Sequence, residues 1–198
     1  IPFGVTDNAQ VKLIALDIYG NEGEGFSAFF SVTDNTPPTV EMDTPGTLSI
    51  GTDVELSWTA EDNTGFRSHY LYFSSATGQE YSFVDSVNGS NTTYSWTVPN
   101  IVTETAMFSI LSYDLVGLTD TDTTEVFTII DEIPPEVTVL TPTTDSSIPE
   151  YEALTVTWEA TDNIEMDSVQ VYFSNDETTF IYQGIVDSDL SEFTFSIP

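Results

Sequence analysis

Val54-Glu55-Leu56-Ser57-Trp58-Thr59-Ala60-Glu61-Asp62-Asn63 decides the fold, together with its echo Leu154-Thr155-Val156-Thr157-Trp158-Glu159-Ala160-Thr161-Asp162-Asn163. In each stretch, apolar residues (Val54, Leu56, Trp58 and Ala60; Leu154, Val156, Trp158 and Ala160) alternate with polar ones. A period of two with polar side chains outward is the pattern of a half-buried antiparallel strand. Each strand then runs into Asp-Asn, a pair that forms turns by bonding its side chain to its own backbone.

Working outward, other segments repeat at a spacing near 98 residues. Asp34-Asn35-Thr36-Pro37-Pro38 aligns with Asp131-Glu132-Ile133-Pro134-Pro135, and Ala15-Leu16-Asp17-Ile18-Tyr19-Gly20 with Ser112-Tyr113-Asp114-Leu115-Val116-Gly117. Tyr72-Phe73-Ser74 recurs as Tyr172-Phe173-Ser174, and Tyr94-Ser95-Trp96-Thr97-Val98-Pro99 as Phe193-Thr194-Phe195-Ser196-Ile197-Pro198. A repeat of that length is one small domain per unit. Strands expected at 39–43, 54–60, 68–74, 81–87, 93–98, 107–113 and 124–130, with turn signals between them, predict a seven-stranded β-sandwich, and no window carries a helical period. The phase is offset: 37–133 reads as one complete repeat, 1–36 as the last two strands of a preceding one, and 134–198 as the first five strands of a following one. Ile-Pro occurs at both ends, Ile1-Pro2 and Ile197-Pro198. The chain is therefore expected to be either a window from a tandem array or a unit whose N-terminal strands complete the C-terminal five of the next copy, head-to-tail. A start at Ile1, with no initiator Met and no leader pattern, reads as a processed product or a piece of something longer.

Composition narrows the function. The 198 residues carry 33 Asp+Glu against 2 Lys+Arg, a formal net charge of −31, with one His and no Cys. Lys12 and Arg67 cannot displace counterions from a phosphate backbone or dock on anionic lipid, so no nucleic-acid partner and no membrane insertion are expected. Zinc sites and disulfides lack their ligands. Thirteen Phe, nine Tyr and three Trp supply core material that a disordered chain would not have. So acidic a surface fits salty or divalent-rich water at the cell exterior.

Trp58-x-Ala60-x-Asp62-Asn63, Ala15-x-Asp17-x-x-Gly20-Asn21 and the Asp34–Pro38 linker resemble the fibronectin type III-like and immunoglobulin-like repeats of bacterial and archaeal surface proteins. The resemblance implies all-β sandwiches in tandem that serve as filaments, stalks, adhesins or appendages of secreted enzymes. It also implies that the linker lies at the same pole as the second–third and sixth–seventh strand loops. One pole would then gather Asp34, Asn35, Asp62, Asn63 and Asp114, and the next would gather Asp131, Glu132, Asp162 and Asn163, with Asp17 as the matching sixth-strand acid. Oxygen donors of this kind suit Ca²⁺, whose coordination tolerates irregular geometry; the plainer reading is a set of Asx turns. Asp120 with Asp122, and Glu22 with Glu24, are weaker candidates.

Five other features bear on function. Acid pairs such as Glu61 and Asp62 could serve glycoside hydrolysis, but thirty-three acids make pairs by chance and no cleft is foreseen, so no enzyme activity is expected. His69 aligns with Val169 and reads as packing; a lone His assembles no nucleophile–base set. Trp58, Trp158 and Trp96 fall in register with core positions, leaving Tyr70 and Tyr72 as a carbohydrate or receptor platform. Asn88-Gly89-Ser90 and Asn91-Thr92-Thr93 fit the N-glycosylation pattern. Pro37-Pro38 and Pro134-Pro135 would stiffen the joints between modules. The partners expected are adjacent repeats or copies of the chain, and a glycan or cell-surface receptor.

Overall fold

The computed structural model describes residues 4–144 and 146–197. The terminal Ile1-Pro2 and Pro198 lie outside the described residues. Among the described residues every regular element is a β-strand, and no helix is long and apolar enough to cross a membrane. Two compact units divide the chain, one ending at Ile130 and the other beginning at Asp131, with Pro99–Ile101 counted in the second.

The first unit contains one closed sandwich. Strands β5 (Thr39–Met42), β7 (Asp53–Glu61) and β10 (Thr93–Thr97) form one sheet in the order β10-β7-β5. Strands β6 (Leu48–Ser49), β8 (Phe66–Ser74), β9 (Ser82–Asn88), β11 (Thr103–Asp114), β12 (Thr119–Thr123) and β13 (Phe127–Ile130) form the other, in the order β6-β13-β11-β8-β9 with β12 also on β11. Where seven strands are expected there are nine segments. β5 fills the expected first strand, 39–43, and β6 follows it as an extra segment; of the expected seventh, 124–130, only β13 is strand, and a bulge separates it from β12, an extra segment before it. Thr124 closes that bulge: its N–H donates to the Phe108 carbonyl (3.0 Å), and its buried Oγ1 accepts from the Phe108 N–H (3.0 Å). A run of Asp and Thr hid β12, because its Asp side chains are half-buried and serve the backbone: Asp120 and Asp122 accept the Val40 and Met42 N–H groups at 2.9 and 2.7 Å, tying edge strand β5 to β12. These two acids serve the backbone of β5.

Alternation places Leu56 and Trp58 of β7 inward against Leu71, Phe108, Ile110 and Ile129. Phe108 is the hub: fully buried, it packs edge-on to Trp96 (4.8 Å between centroids), stacks on Phe127 (5.4 Å) and tilts against Phe73 (5.3 Å).

His69 points into this core. Its Nδ1 lies 2.8 Å from Ser112 Oγ and its Nε2 3.3 Å from the Gly89 carbonyl, both residues His69 and Ser112 being fully buried. The network assigns the neutral tautomer that donates from Nε2 and accepts at Nδ1. Burial pushes the imidazole pKa below its ordinary 6.5, a trend opposed by the bond to Gly89. The unfolded chain therefore protonates first as pH falls. The His69 contribution is complete above about 6.5 and is lost as pH drops from there toward the folded-state value. We expect His69→Val and Ser112→Ala each to cost about 1–3 kcal/mol by orphaning a buried partner. The double variant should cost less than their sum, by about 1 kcal/mol of coupling. Urea titrations at pH 7.5 and 5.5 would show the wild-type loss and its disappearance in the double variant.

The same unit holds residues 4–36, a hairpin of two broken strands. β1 (Thr6–Ala9) pairs with β4 (Phe30–Val32), and β2 (Lys12–Leu16) with β3 (Glu22–Phe26). It reproduces the β11/β12/β13 hairpin at an offset of 97 residues. Lys12 faces Phe26 as Ser109 faces Thr123, and Ala9 faces Phe30 as Ala106 faces Phe127. Even the bulge recurs, with Ser27 N–H on the Val11 carbonyl (2.9 Å) and Ser27 Oγ accepting the Val11 N–H (3.0 Å). The buried face of β11 has no counterpart here: Leu13 is 70 % exposed where Ile110 is 0 %.

The second unit contains β14 (Glu136–Thr141), β15 (Ala153–Thr161), β16 (Ser168–Phe173), β17 (Ile181–Asp187) and β18 (Glu192–Ser196). Its sheets are β14-β15-β18 and β16-β17. Each pairing matches one of the first unit in register, down to the irregularity between Val171 and Tyr172 that repeats the one between Leu71 and Tyr72. Nothing among the described residues stands where β11, β12 and β13 stand in the first sandwich. Between the two sheets an apolar cleft of about 410 Å³ is lined by Val137, Leu154, Trp158, Val171 and Phe195 among others.

Candidate metal site

Three turns meet at one pole of the first sandwich. Asp34 ends the segment leading into β5, Asp62 follows β7, and Asp114 ends β11. Each spends one carboxylate oxygen on its own turn. Asp34 Oδ1 accepts the Thr36 N–H at 3.0 Å. Asp62 Oδ2 accepts the Thr64 and Gly65 N–H groups, both at 2.7 Å. Asp114 Oδ1 accepts three, from Val116, Gly117 and Leu118, at 3.0, 2.5 and 2.7 Å. Gly65 and Gly117 close the last two turns at φ of +98° and +101°, where a side chain would be strained. The Asx turn is thus real at every position, and it explains half of each carboxylate.

The other half remains. One oxygen from each of Asp34, Asp62 and Asp114 lies within 4.8 Å of the others. Asp114 is fully buried, and its Oδ2, like Asp62 Oδ1, is shielded from solvent without a hydrogen-bond partner among the described residues. Thr64 Oγ1 sits 2.8 Å from both Asp34 Oδ2 and Asp62 Oδ2 with a single proton to give. Hydrogen bonds, first from the Thr36 N–H and then from the Thr64 hydroxyl, hold the Asp34 carboxyl below the usual range, so it is ionised at neutral pH. Carboxylates at such spacing repel one another. An all-oxygen donor set with orphaned buried acceptors fits a hard divalent cation, and its irregularity favours Ca²⁺ over Mg²⁺.

Of the other residues expected here, Asn35 is exposed, and Asn63 presents its amide nitrogen to Asp34 Oδ1 (3.2 Å). Thr64 was not anticipated; its place directly after Asp62-Asn63 was the available signal.

The second unit repeats two thirds of this arrangement. Asp131 Oδ1 accepts the Ile133 N–H (3.0 Å) and the Asn163 amide (3.2 Å), copying Asp34. Asp162 Oδ2 accepts the Ile164 N–H (3.0 Å), copying Asp62. Asp162 Oδ1 and Asn163 Oδ1 are shielded and have no hydrogen-bond partner among the described residues. Asp17, the acid that matches Asp114, lies at the exposed tip of the β2–β3 hairpin, bonded to the Tyr19 and Asn21 N–H groups and to the Asn21 amide. Those bonds, the Asn21 amide foremost, hold its carboxyl below the ordinary value. Glu24 pairs with Lys12 at 2.6 Å, and Glu22 stands exposed beside it on β3.

The remaining candidates separate cleanly. Trp58 and Trp158 are buried, and Trp96 packs on Phe108. Tyr70 and Tyr72 lie on the outer face of β8 and both contact Phe83, while Tyr70 also meets Tyr113, over which Arg67 stacks at 5.2 Å. Asn88 and Asn91 are exposed at the end of β9 and in the loop after it, and Asn88 Oδ1 accepts from both the N–H and hydroxyl of Ser90 (3.0 Å each).

Residues 135–197 match the family model described as Bacterial Ig domain. Among solved structures, the fibronectin(III)-like modules of CbhA from Clostridium thermocellum align at 15% identity over 81% of this chain and 80% of that one, with a TM-score of 0.36. No curated protein matches the chain. The architecture is that of immunoglobulin-like β-sandwich repeats.

Proposed function

We propose that this is a non-enzymatic, extracellular structural protein in which immunoglobulin-like modules build a cell-surface filament, stalk or adhesin, with Ca²⁺ clamping the module poles and strands shared between copies. The observation that carries the reading is the Asp34–Asp62–Asp114 cluster, where Asp114 is wholly buried and keeps one oxygen unpartnered. Because Asp34 belongs to the segment entering β5, a cation bound there ties that segment to the β7–β8 and β11–β12 turns of the sandwich. Module entry then stiffens with calcium, which is what a load-bearing joint requires.

Electron microscopy of the protein on its native surface, with and without chelator, tests the proposal. Regular rods that soften or fray on calcium removal are expected; flexible strings indifferent to chelator would contradict the clamp. The outward strip of Tyr70, Tyr72, Phe83 and Tyr113 supports a second reading, a carbohydrate- or receptor-binding appendage. There, Tyr72→Ala would abolish a glycan-array signal while leaving the melting temperature within a few degrees. Exposure of Asn88 and Asn91 supports glycan attachment on the same module.

A further inference from the structure

The geometry points to the open cleft of the second unit as the seat for the β1–β4 hairpin of a second copy of this chain, with β2 laid antiparallel along β16. This rests on the strand sharing proposed above and specifies its partner and register.

Both halves are preformed. In the first sandwich β11 runs along β8 with Phe108 opposite Phe73, Ile110 opposite Leu71 and Ser112 opposite His69. The hairpin keeps the internal register of β11 with β12 and β13, and the second unit keeps every pairing of the sheets that flank β11. Carrying the register across places Val11 opposite Phe173, Lys12 opposite Tyr172, Leu13 opposite Val171 and Ala15 opposite Val169. Val11, Leu13 and Phe30, exposed by 46 %, 70 % and 46 %, would enter the cleft between Val137, Trp158 and Phe195.

The chemistry of one pair shows that hairpin and cleft suit each other. In the closed sandwich the buried pair is polar, His69 with Ser112. The hairpin carries Ala15 in place of Ser112, and the cleft carries Val169 in place of His69. An apolar residue on each side leaves no buried donor or acceptor unpaired, whereas Ala15 facing a histidine would orphan Nδ1. Docking also removes two unpaired strand edges, on β2 and β16, that would otherwise recruit partners at random. The contact is head-to-tail, so successive copies extend along a line. Asp17 arrives at the pole of Asp131 and Asp162 by the same register.

The chain has no cysteine, so the register can be read by placing two. Lys12→Cys in one preparation and Tyr172→Cys in another are mixed and treated with a short bis-maleimide. We expect a cross-linked dimer on denaturing gels, and none when Tyr72→Cys, on a strand whose edge is already paired with β11, replaces Tyr172→Cys. Leu13→Asp should cut the cross-linked fraction roughly tenfold or more, because docking would bury an unpaired carboxylate. Leu13 is exposed in the free chain, so that loss would not be misfolding. Absence of the cross-link, with the chain monomeric by sedimentation at the highest attainable concentration, would overturn the inference. So would a cleft that closes only when the chain is extended beyond residue 198. Calcium-dependent melting of the first sandwich is a separate readout and stands or falls without this result.

Discussion

Phe108→Ala should unfold the first sandwich well below the temperature at which the wild-type chain melts. Phe108 is fully buried and contacts Trp96, Phe73 and Phe127. Truncating such a residue forfeits its transfer free energy and leaves a cavity that close-packed neighbours cannot fill, typically about 3–5 kcal/mol. At about 4–8 °C per kcal/mol for a domain of this size, the melting temperature falls by the order of 20 °C. Trp fluorescence melts would record it, with Trp96 beside the cavity. The repeat supplies an internal control. Val11 occupies the same register position in the hairpin and is 46 % exposed, so Val11→Ala in the unassembled chain should change stability by no more than about 0.5 kcal/mol.

The second large effect is an inversion. Asp114→Asn keeps an oxygen for the Val116, Gly117 and Leu118 N–H groups but replaces the unpartnered Oδ2 by an uncharged amide. In chelator the variant should melt higher than wild type, because three close carboxylates become two. In saturating calcium the order should reverse, because wild type alone keeps the full donor set. A ligand present at a hundred times its Kd stabilises by about 2.7 kcal/mol, so calcium should raise the wild-type midpoint by roughly 10–20 °C. Asp114→Ala discriminates further: it also strips the acceptor from three backbone donors and should lower the midpoint with or without calcium. If Asp114→Asn were the less stable protein in both conditions, the buried oxygen would be part of a turn and nothing more.

The alternating Trp58 and Trp158 strands and the near-98-residue repeat made the sandwich readable before any coordinates, because burial of one sheet face imposes period two on the sequence. Readability failed where a side chain does backbone work. Asp120 and Asp122 look solvated in a Thr/Asp run yet bond strand β5, so β12 went unseen. The Ser27 and Thr124 bulges split strands at polar residues that carry no sequence signature of a break. At the pole, Asp34, Asp62 and Asp114 were legible because turn chemistry and metal chemistry both call for Asp there. Asn63, placed at the same pole, turns its amide nitrogen to Asp34 Oδ1. That Asp114 is wholly buried with one oxygen unpartnered depends on how β11 enters the core, which pattern alone does not convey.

Titration calorimetry of Ca²⁺ into chelator-stripped chain, set beside Mg²⁺ and Na⁺ at matched ionic strength, tests the central claim most directly. The account predicts saturable calcium binding that Mg²⁺ reproduces weakly and Na⁺ not at all, and that Asp114→Asn abolishes at the first pole. Heats that merely track ionic strength, equal for all three cations and unchanged in Asp114→Asn, would mean that the acids only hold hydration on a −31 surface, and the calcium clamp would be wrong.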